Sequence, residues 1–264
     1  MMEILQSIIY GTVQGLGEFL PISSTAHLVL VPFLTGWEDP GLAYDVALHA
    51  GTLLAVVAFF WKDWVRIFQL AFLRNKKSEE YGNDILWLLI LATIPGALAG
   101  YFLEDMANTV FRSPWVIVFT LSFFGLLLYL LDKYAKQRKE IGKIRLKDAL
   151  IIGLAQAVAI IPGVSRSGAT ITAGRALGFD RVSSARFSFL LSTPIIFGAT
   201  LNQLPDLKEE GFSGALMIGI FVSAVSGYLA IKYLIKFVQN SSYKIFFWYR
   251  ILLAAIIAAV LAWR

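Results

Sequence analysis

The sequence predicts an all-α integral membrane protein: a polytopic helical bundle with inverted-topology repeats, six full spans plus two re-entrant helical hairpins, in a single domain over residues 1–264. Three observations predict it. Hydrophobic residues make up 58% of the chain and charged ones only 16%, with a mean hydropathy of +0.69; soluble domains hold roughly 45–50% and 25%. Several stretches of about 18–24 residues carry no charge, enough to cross a hydrocarbon core of roughly 30 Å. Two further apolar stretches are interrupted by Gly, Pro and Ser and match each other. The composition excludes disorder and argues against a soluble enzyme. There is no Cys, so disulfides, thiolate metal sites and a Cys nucleophile are excluded. The only His residues are His27 and His49, which leaves little room for a multi-histidine metal site. The net charge is +5, but the basic residues are clumped and read as topology signals rather than a nucleic-acid surface. The partner they imply is the lipid bilayer.

Taken in order, the chain opens on a broken apolar stretch, 3–36, interrupted by Gly15, Gly17, Pro21 and Ser23-Ser24. It lacks the basic n-region of a signal peptide, and no Lys or Arg precedes Lys62. Spans follow at about 42–61, 85–103 and 114–131. The second broken stretch, 148–180, carries Pro162-Gly163, Ser165-Arg166-Ser167-Gly168 and Gly174. Three spans close the chain at about 185–204, 213–236 and 244–263. Trp61, Trp64 and Trp115, near span ends, read as an interfacial belt.

Loop charge sets the orientation. The 62–84 loop holds Lys62, Arg66, Arg74, Lys76 and Lys77, and the 132–147 loop holds Lys133, Lys136, Arg138, Lys139, Lys143, Arg145 and Lys147. The 104–113 loop has only Arg112, and the 205–212 loop only Lys208, beside Asp206, Glu209 and Glu210. By the positive-inside rule the first pair is cytoplasmic and the second external. Lys236 and Lys244 then flank an inner turn. Span 42–61 must start outside, so 1–41 is external. Span 114–131 ends inside and 185–204 starts inside, so 148–184 enters and leaves by the inner face. Both broken stretches therefore read as re-entrant hairpins, one from each side, with both termini outside. Irregular backbone at membrane depth is tolerated only where it lines a protein-enclosed cavity.

The hairpins resemble each other. One reads Gly11-x-x-Gln14, Pro21, Ser23-Ser24-Thr25; the other reads Gly153-x-x-Gln156, Pro162, Ser165-Arg166-Ser167. This defines pseudo-repeat 1 over about 1–131 and pseudo-repeat 2 over about 148–264. In inverted repeats the broken tips meet near the midplane and form the site.

The tips carry the chemistry. Glu18 lies in an otherwise uncharged run, where a carboxylate costs at least about 2.5–3.5 kcal/mol on insertion scales. It is either solvated at the interface or functional, as a general base or metal ligand. Gln14 falls on the same helical face. Pro21-Ile22-Ser23-Ser24-Thr25-Ala26-His27 is a helix start with a hydroxyl N-cap, but capping explains one hydroxyl, not three and a His. Such a start is also an anion site, and a Ser24–His27–Glu18 cluster would activate a nucleophile. Arg166, in Pro162-Gly163-Val164-Ser165-Arg166-Ser167-Gly168-Ala169-Thr170, suits bidentate phosphate binding. The alternatives are snorkelling to the interface or a structural pair with Glu18. His49 reads as structural or as lining the cavity. Arg175, Arg181 and Arg186 read as inner-surface charges. One carboxylate, several hydroxyls, a His and an Arg within the bilayer suit a phosphate-bearing lipid.

At these residues the sequence resembles the undecaprenyl pyrophosphate phosphatase family of the BacA/UppP type. That family shows (E/Q)-x-x-x-E, then P-x-S-S-x-x-H, then P-G-x-S-R-S-G-x-T, here Gln14 to Glu18, Pro21 to His27 and Pro162 to Thr170. Gly51 to Val57, Phe187 to Leu191 and Tyr249-Arg250 resemble further family segments, so the likeness covers essentially the whole chain. The resemblance implies hydrolysis of a C55 isoprenyl diphosphate to the monophosphate and inorganic phosphate. The reaction would take place at the outer face of the plasma membrane with a divalent cation, Mg or Ca. In a bacterium it would recycle the peptidoglycan carrier and confer bacitracin resistance. It implies Glu18 as catalytic carboxylate and candidate metal ligand, Ser24 as nucleophile, His27 as proton-transfer partner and Arg166 as phosphate clamp. Gln14, Ser23, Thr25, Ser165, Ser167 and Thr170 would contact substrate. Two departures stand out: Gln14 replaces a glutamate of many members, and Arg186 stands where many have Glu. The type-2 phosphatidic acid phosphatases need a His six residues after the Arg of Ser-Arg; position 172 is Thr. The competing reading is a polyprenyl-phosphate transporter or flippase, which needs Arg166 and hydroxyls but not Glu18, Ser24 and His27 together. Self-association into a homodimer stays open.

Overall fold

The computed structural model describes residues 3–73, 78, 80–136, 139–202, 205 and 213–263. Among them the regular structure is helical, apart from an isolated bridge between Lys139 and Phe179. The helices are α1 (Ile4–Phe19), α2 (Ser24–Thr35), α3 (Gly41–Phe59), α4 (Trp61–Phe72), α5 (Ile85–Asn108), α6 (Pro114–Tyr134), α7 (Leu146–Val158), α8 (Arg166–Ala176), α9 (Arg181–Asn202), α10 (Gly214–Asn240) and α11 (Lys244–Trp263). Short 3-10 turns at Val110–Arg112 and Ile141–Lys143 lead into α6 and α7.

Among the described residues five helices are long and apolar enough to cross a membrane: Ile85–Leu103 within α5, then α6, α9, α10 and α11. A sixth span exists only if α3 and α4 count as one, and they are bent by 71°. The expected span at 42–61 coincides with α3, whereas the loop expected after it is corrected. The helix breaks at Phe60, resumes at Trp61 and runs to Phe72. Lys62, Asp63 and Arg66 would be costly in hydrocarbon, while Ile67 and Leu70 are buried on the core. An amphipathic helix turned away from the span satisfies both, and the charges that read as a loop still carried a helical period. Arg74, Lys76, Lys77, Arg138, Asp206, Lys208, Glu209 and Glu210, used as topology signals, lie outside the described residues.

Each broken stretch becomes two helices around a tight turn, α1/α2 and α7/α8. Both turns end on a serine in the left-handed region, Ser23 at φ 74° and Ser165 at φ 71°. Each serine caps the next helix: Ser23 Oγ accepts from Ala26 N at 3.4 Å and Ser165 Oγ from Gly168 N at 3.1 Å. A non-glycine residue there is strained and persists only where the surroundings fix it.

The helix contacts come in matching pairs. α1 lies along α10 and α7 along α5; α3 also packs on α10 and α9 on α5; α3 meets α9 and α6 meets α11. Gly11 and Gly153 permit the first two: a Cβ would stand 2.4 Å from Gly219 O and 2.5 Å from Ala92 O, respectively. Phe19, Phe60, Leu190 and Phe189 form part of the core between α1, α3 and α9, and Phe19 meets Phe189 edge-on at 5.4 Å.

The three arginines read as inner-surface charges hold buried or partly buried ion pairs. Fully buried Arg175 donates to Asp132 Oδ1 at 3.0 Å, and Arg181 Nε meets the same oxygen at 2.7 Å. Arg186 pairs with Asp63 of α4 and with Glu80. Sequence spacing gave no sign of these partners, which come from other helices and loops. Trp61 and Trp115 are exposed as a belt requires, whereas Trp64 packs partly against the core.

Candidate active site

The two turns meet. Gly163 N of the second donates to Ser23 Oγ of the first at 3.1 Å, and Ser167 Oγ donates to Leu20 O at 3.1 Å. Fully buried Arg250, on α11, joins both turns to α6. Its guanidinium donates to Pro21 O, Gly163 O, Val164 O, Thr120 O and Leu121 O. Thr120 Oγ1 adds a bond to Pro162 O at 2.7 Å. The sequence marked Tyr249-Arg250 only as a family likeness; the five carbonyl partners of Arg250 are spread over three segments of the chain.

Glu18 is the hub of what the turns enclose. Its Oε1 accepts from Arg166 Nη2 at 2.9 Å. Its Oε2 accepts from Ser24 Oγ at 2.8 Å and Gln14 Nε2 at 3.2 Å. His49 Nε2 lies 3.4 Å from the same oxygen. Arg166 Nη1 donates to Ser188 O at 2.9 Å, and Arg166 Nε is buried with no hydrogen-bond partner among the described residues. Gln14 Oε1 is likewise buried and unpartnered.

These groups form one end of a cavity of about 490 Å³. Glu18, Ser23, Ser24, Thr25, His49, Ser165 and Arg166 line it. The N-termini of α2 and α8 both end here, so two positive helix ends converge on one space. The rest of the wall is mostly apolar, with Gly96, Ala97 and Gly100 of α5, Ala157 of α7, and Ile195 and Ala199 of α9, though Thr93, Gln156 and Asn202 of the same helices also line it. A polar pole with an apolar trough suits an amphiphile with an anionic head.

Of the expected residues, Glu18, Ser24 and Arg166 are brought together, and Ser23, Thr25 and Ser165 line the cavity. Gln14 sits behind Glu18. Ser167 and Thr170 are buried supports rather than wall groups: Thr170 Oγ1 donates to Arg166 O at 2.8 Å and lies 2.7 Å from Ser188 Oγ. The expected Ser24–His27–Glu18 cluster does not form. His27 Nδ1 faces Ser23 O at 2.7 Å, its Nε2 faces Tyr249 Oη at 2.6 Å, and the rings stack. One turn past Ser24, the α2 screw carries His27 away from Glu18 and toward α11. The imidazole at Glu18 is His49, from α3. The sequence signal for it was Asp45-x-x-x-His49, two polar residues on one face of an apolar helix.

A model of the family described as bacitracin resistance protein BacA matches residues 7–256. The undecaprenyl-diphosphatase of Moorella thermoacetica is 49% identical over 259 residues, 98% of each chain. That of Pelotomaculum thermopropionicum is 50% identical over 261 residues, 99% of this chain and 97% of its own. That of Gemmatimonas aurantiaca is 46% identical over 266 residues, all of both chains.

Proposed function

The chain belongs to the bacitracin resistance protein BacA family, and on that premise we propose that it is an undecaprenyl-diphosphatase, a multi-pass membrane hydrolase that recycles a lipid carrier. It would split a C55 isoprenyl diphosphate into the monophosphate and inorganic phosphate. The observation that carries this reading is the pairing of Ser24 Oγ with Glu18 Oε2 at 2.8 Å beside Arg166, on the wall of a mostly apolar cavity.

Phosphoryl transfer needs positioning and charge neutralisation above all. The diphosphate lies at the two helix N-termini, with the unpartnered Arg166 Nε as a ready donor to a phosphate oxygen. Ser24 Oγ, or a water beside it, attacks the terminal phosphorus, and Glu18 Oε2 takes the proton it gives up. The bond from that phosphorus to the bridging oxygen breaks, and the lipid monophosphate leaves with the bonding pair. If Ser24 is the nucleophile, water then cleaves the seryl phosphate. The first isoprene units occupy the apolar trough and the rest of the tail lies in the bilayer.

The family resemblance implies a divalent cation, and the donor set fits one. Hard cations take oxygen ligands, and Mg²⁺ is commonly held by one or two carboxylates with substrate phosphates. Gln14 Oε1 is a buried oxygen without a partner beside Glu18. Among the described residues no three or more His, Asp or Glu side chains group together as a metal cage, so the diphosphate would complete the set. Bound there, the cation would neutralise charge on the diphosphate.

In this reading α1/α2 and α7/α8 are re-entrant hairpins of two inverted repeats. The matching serines at positive φ and the paired helix contacts support that arrangement. The loop charges support external termini and a site open to the outer face, where bacitracin resistance in a bacterium would arise.

The test is phosphate release from undecaprenyl diphosphate by detergent-purified protein, with Mg²⁺ or with EDTA, beside Ser24→Ala. Release that EDTA suppresses, and that Ser24→Ala lowers by about 10²-fold or more, is the expected result. No release by folded wild-type protein refutes the phosphatase.

A further inference from the structure

We infer that His49 is a positioning residue of the reactive centre, holding Glu18 in the orientation from which it serves Ser24; the inference rests on the phosphatase reading above. α3 carries His49 to the cavity wall. Its Nδ1 lies 2.7 Å from Asp45 O, one helical turn earlier, and its Nε2 lies 3.4 Å from Glu18 Oε2. Asp45 O accepts from Nδ1, and Nε2 faces the carboxylate at ion-pair distance.

The need for such a group follows from the double duty of Arg166. In the structure Arg166 holds Glu18 Oε1 at 2.9 Å, yet the same guanidinium is the donor placed to meet a phosphate. As it turns to the diphosphate, its grip on Glu18 weakens. The carboxylate sits on a flexible side chain and must stay within hydrogen-bond reach of Ser24 Oγ for proton transfer. Ser24 cannot be the anchor, since it is the group being deprotonated or displaced, and Gln14, the other donor to Oε2, reaches it at 3.2 Å from the same helix as Glu18. His49 is free of both tasks. It stands on a helix outside the two turns, its ring is fixed through Nδ1, and Nε2 bears on the oxygen that faces Ser24. His27 cannot substitute, because its two nitrogens are taken by Ser23 O and Tyr249 Oη.

Two substitutions separate this role from a structural one. His49→Gln places an amide near the Nε2 position and keeps a donor for Glu18. His49→Asn is one carbon shorter and keeps only a donor near the Nδ1 position, for Asp45 O. The expected result is a kcat within about 3-fold of wild type for His49→Gln and a kcat lower by roughly 10–100-fold for His49→Asn, in the range typical of lost supporting partners. KM should change little in either, because Glu18 acts on the reacting group. Equal kcat values, or an Asn variant better than the Gln variant, overturn the inference. Wild-type turnover in the same assay reports separately on the phosphatase reading.

A second readout needs no turnover. Thermal unfolding of the Gln variant should occur above that of the Asn variant, and the gap should close when Glu18→Met removes the acceptor. A gap that is absent, or that persists without Glu18, refutes the contact whatever the activity.

Discussion

Arg166→Met should destabilise the fold as well as stop turnover, and the structure sets the size of the effect. Glu18 and Arg166 pair at 2.9 Å, with side chains 7% and 13% exposed. Removing one partner of a buried pair leaves an uncompensated charge and costs about 3–5 kcal/mol. Here Oε2 keeps the Ser24 and Gln14 donors with His49 beside it, which argues for the lower figure, about 3 kcal/mol. For a chain of this size each kcal/mol moves Tm by roughly 2–4 °C, so the expected drop is about 6–12 °C. Replacing both partners by apolar residues of similar volume is often neutral, so Glu18→Met combined with Arg166→Met should melt close to wild type. Neither variant should release phosphate. The assay is thermal unfolding in detergent for wild type, the two single variants and the double variant, beside phosphate release from undecaprenyl diphosphate. A double variant that melts as low as Arg166→Met, or an Arg166→Met protein that melts with wild type, shows that the two charges are not a buried, mutually dependent pair. Restored turnover in the double variant would dismiss the assigned roles of both residues.

Two further predictions concern how the turns are held. Arg250→Met strands the carbonyls of Pro21, Gly163 and Val164, each worth about 1–3 kcal/mol when left unsatisfied; thermal unfolding should fall by at least about 3 kcal/mol, with Arg250→Lys recovering part, and wild-type stability in the Met variant would refute the clamp. Ser23 sits at φ 74°, so Ser23→Gly loses the cap but sheds backbone strain of order 1–3 kcal/mol, and Ser23→Ala loses the cap and keeps the strain; unfolding should rank the Gly variant above the Ala variant, and the opposite order would deny the left-handed conformation.

Much of the site was legible in the sequence because membrane depth makes polar residues conspicuous. Glu18, Ser24 and Arg166 stood out against apolar runs, and the Gly11/Gln14/Pro21/Ser23 and Gly153/Gln156/Pro162/Ser165 match announced two equivalent turns. The structure brings those residues within hydrogen-bond distance across 148 positions of chain. His27 shows where local reasoning stops. Its place one turn after Ser24 follows from the sequence, but the direction of that face depends on how α2 packs against α11, and the ring goes to Tyr249. The partners of Arg186 were likewise hidden in the sequence, because Asp63 of α4 and Glu80 before α5 reach it only through the fold.

The sequence by itself determined that the chain is helical and apolar, roughly where its long apolar helices lie, that two turns interrupt it, and which residue types sit at those turns. These properties depend on composition, periodicity and near-neighbour spacing, and a linear pattern carries them. Only the tertiary structure decided which imidazole meets Glu18, that Arg250 binds both turns, and that the helix after Phe60 bends rather than ends. Those outcomes depend on contacts between helices far apart in the chain. There a side chain's partner is set by the rotation and close approach of two packed surfaces, as at Gly11 on Gly219 and Gly153 on Ala92, which no single segment contains.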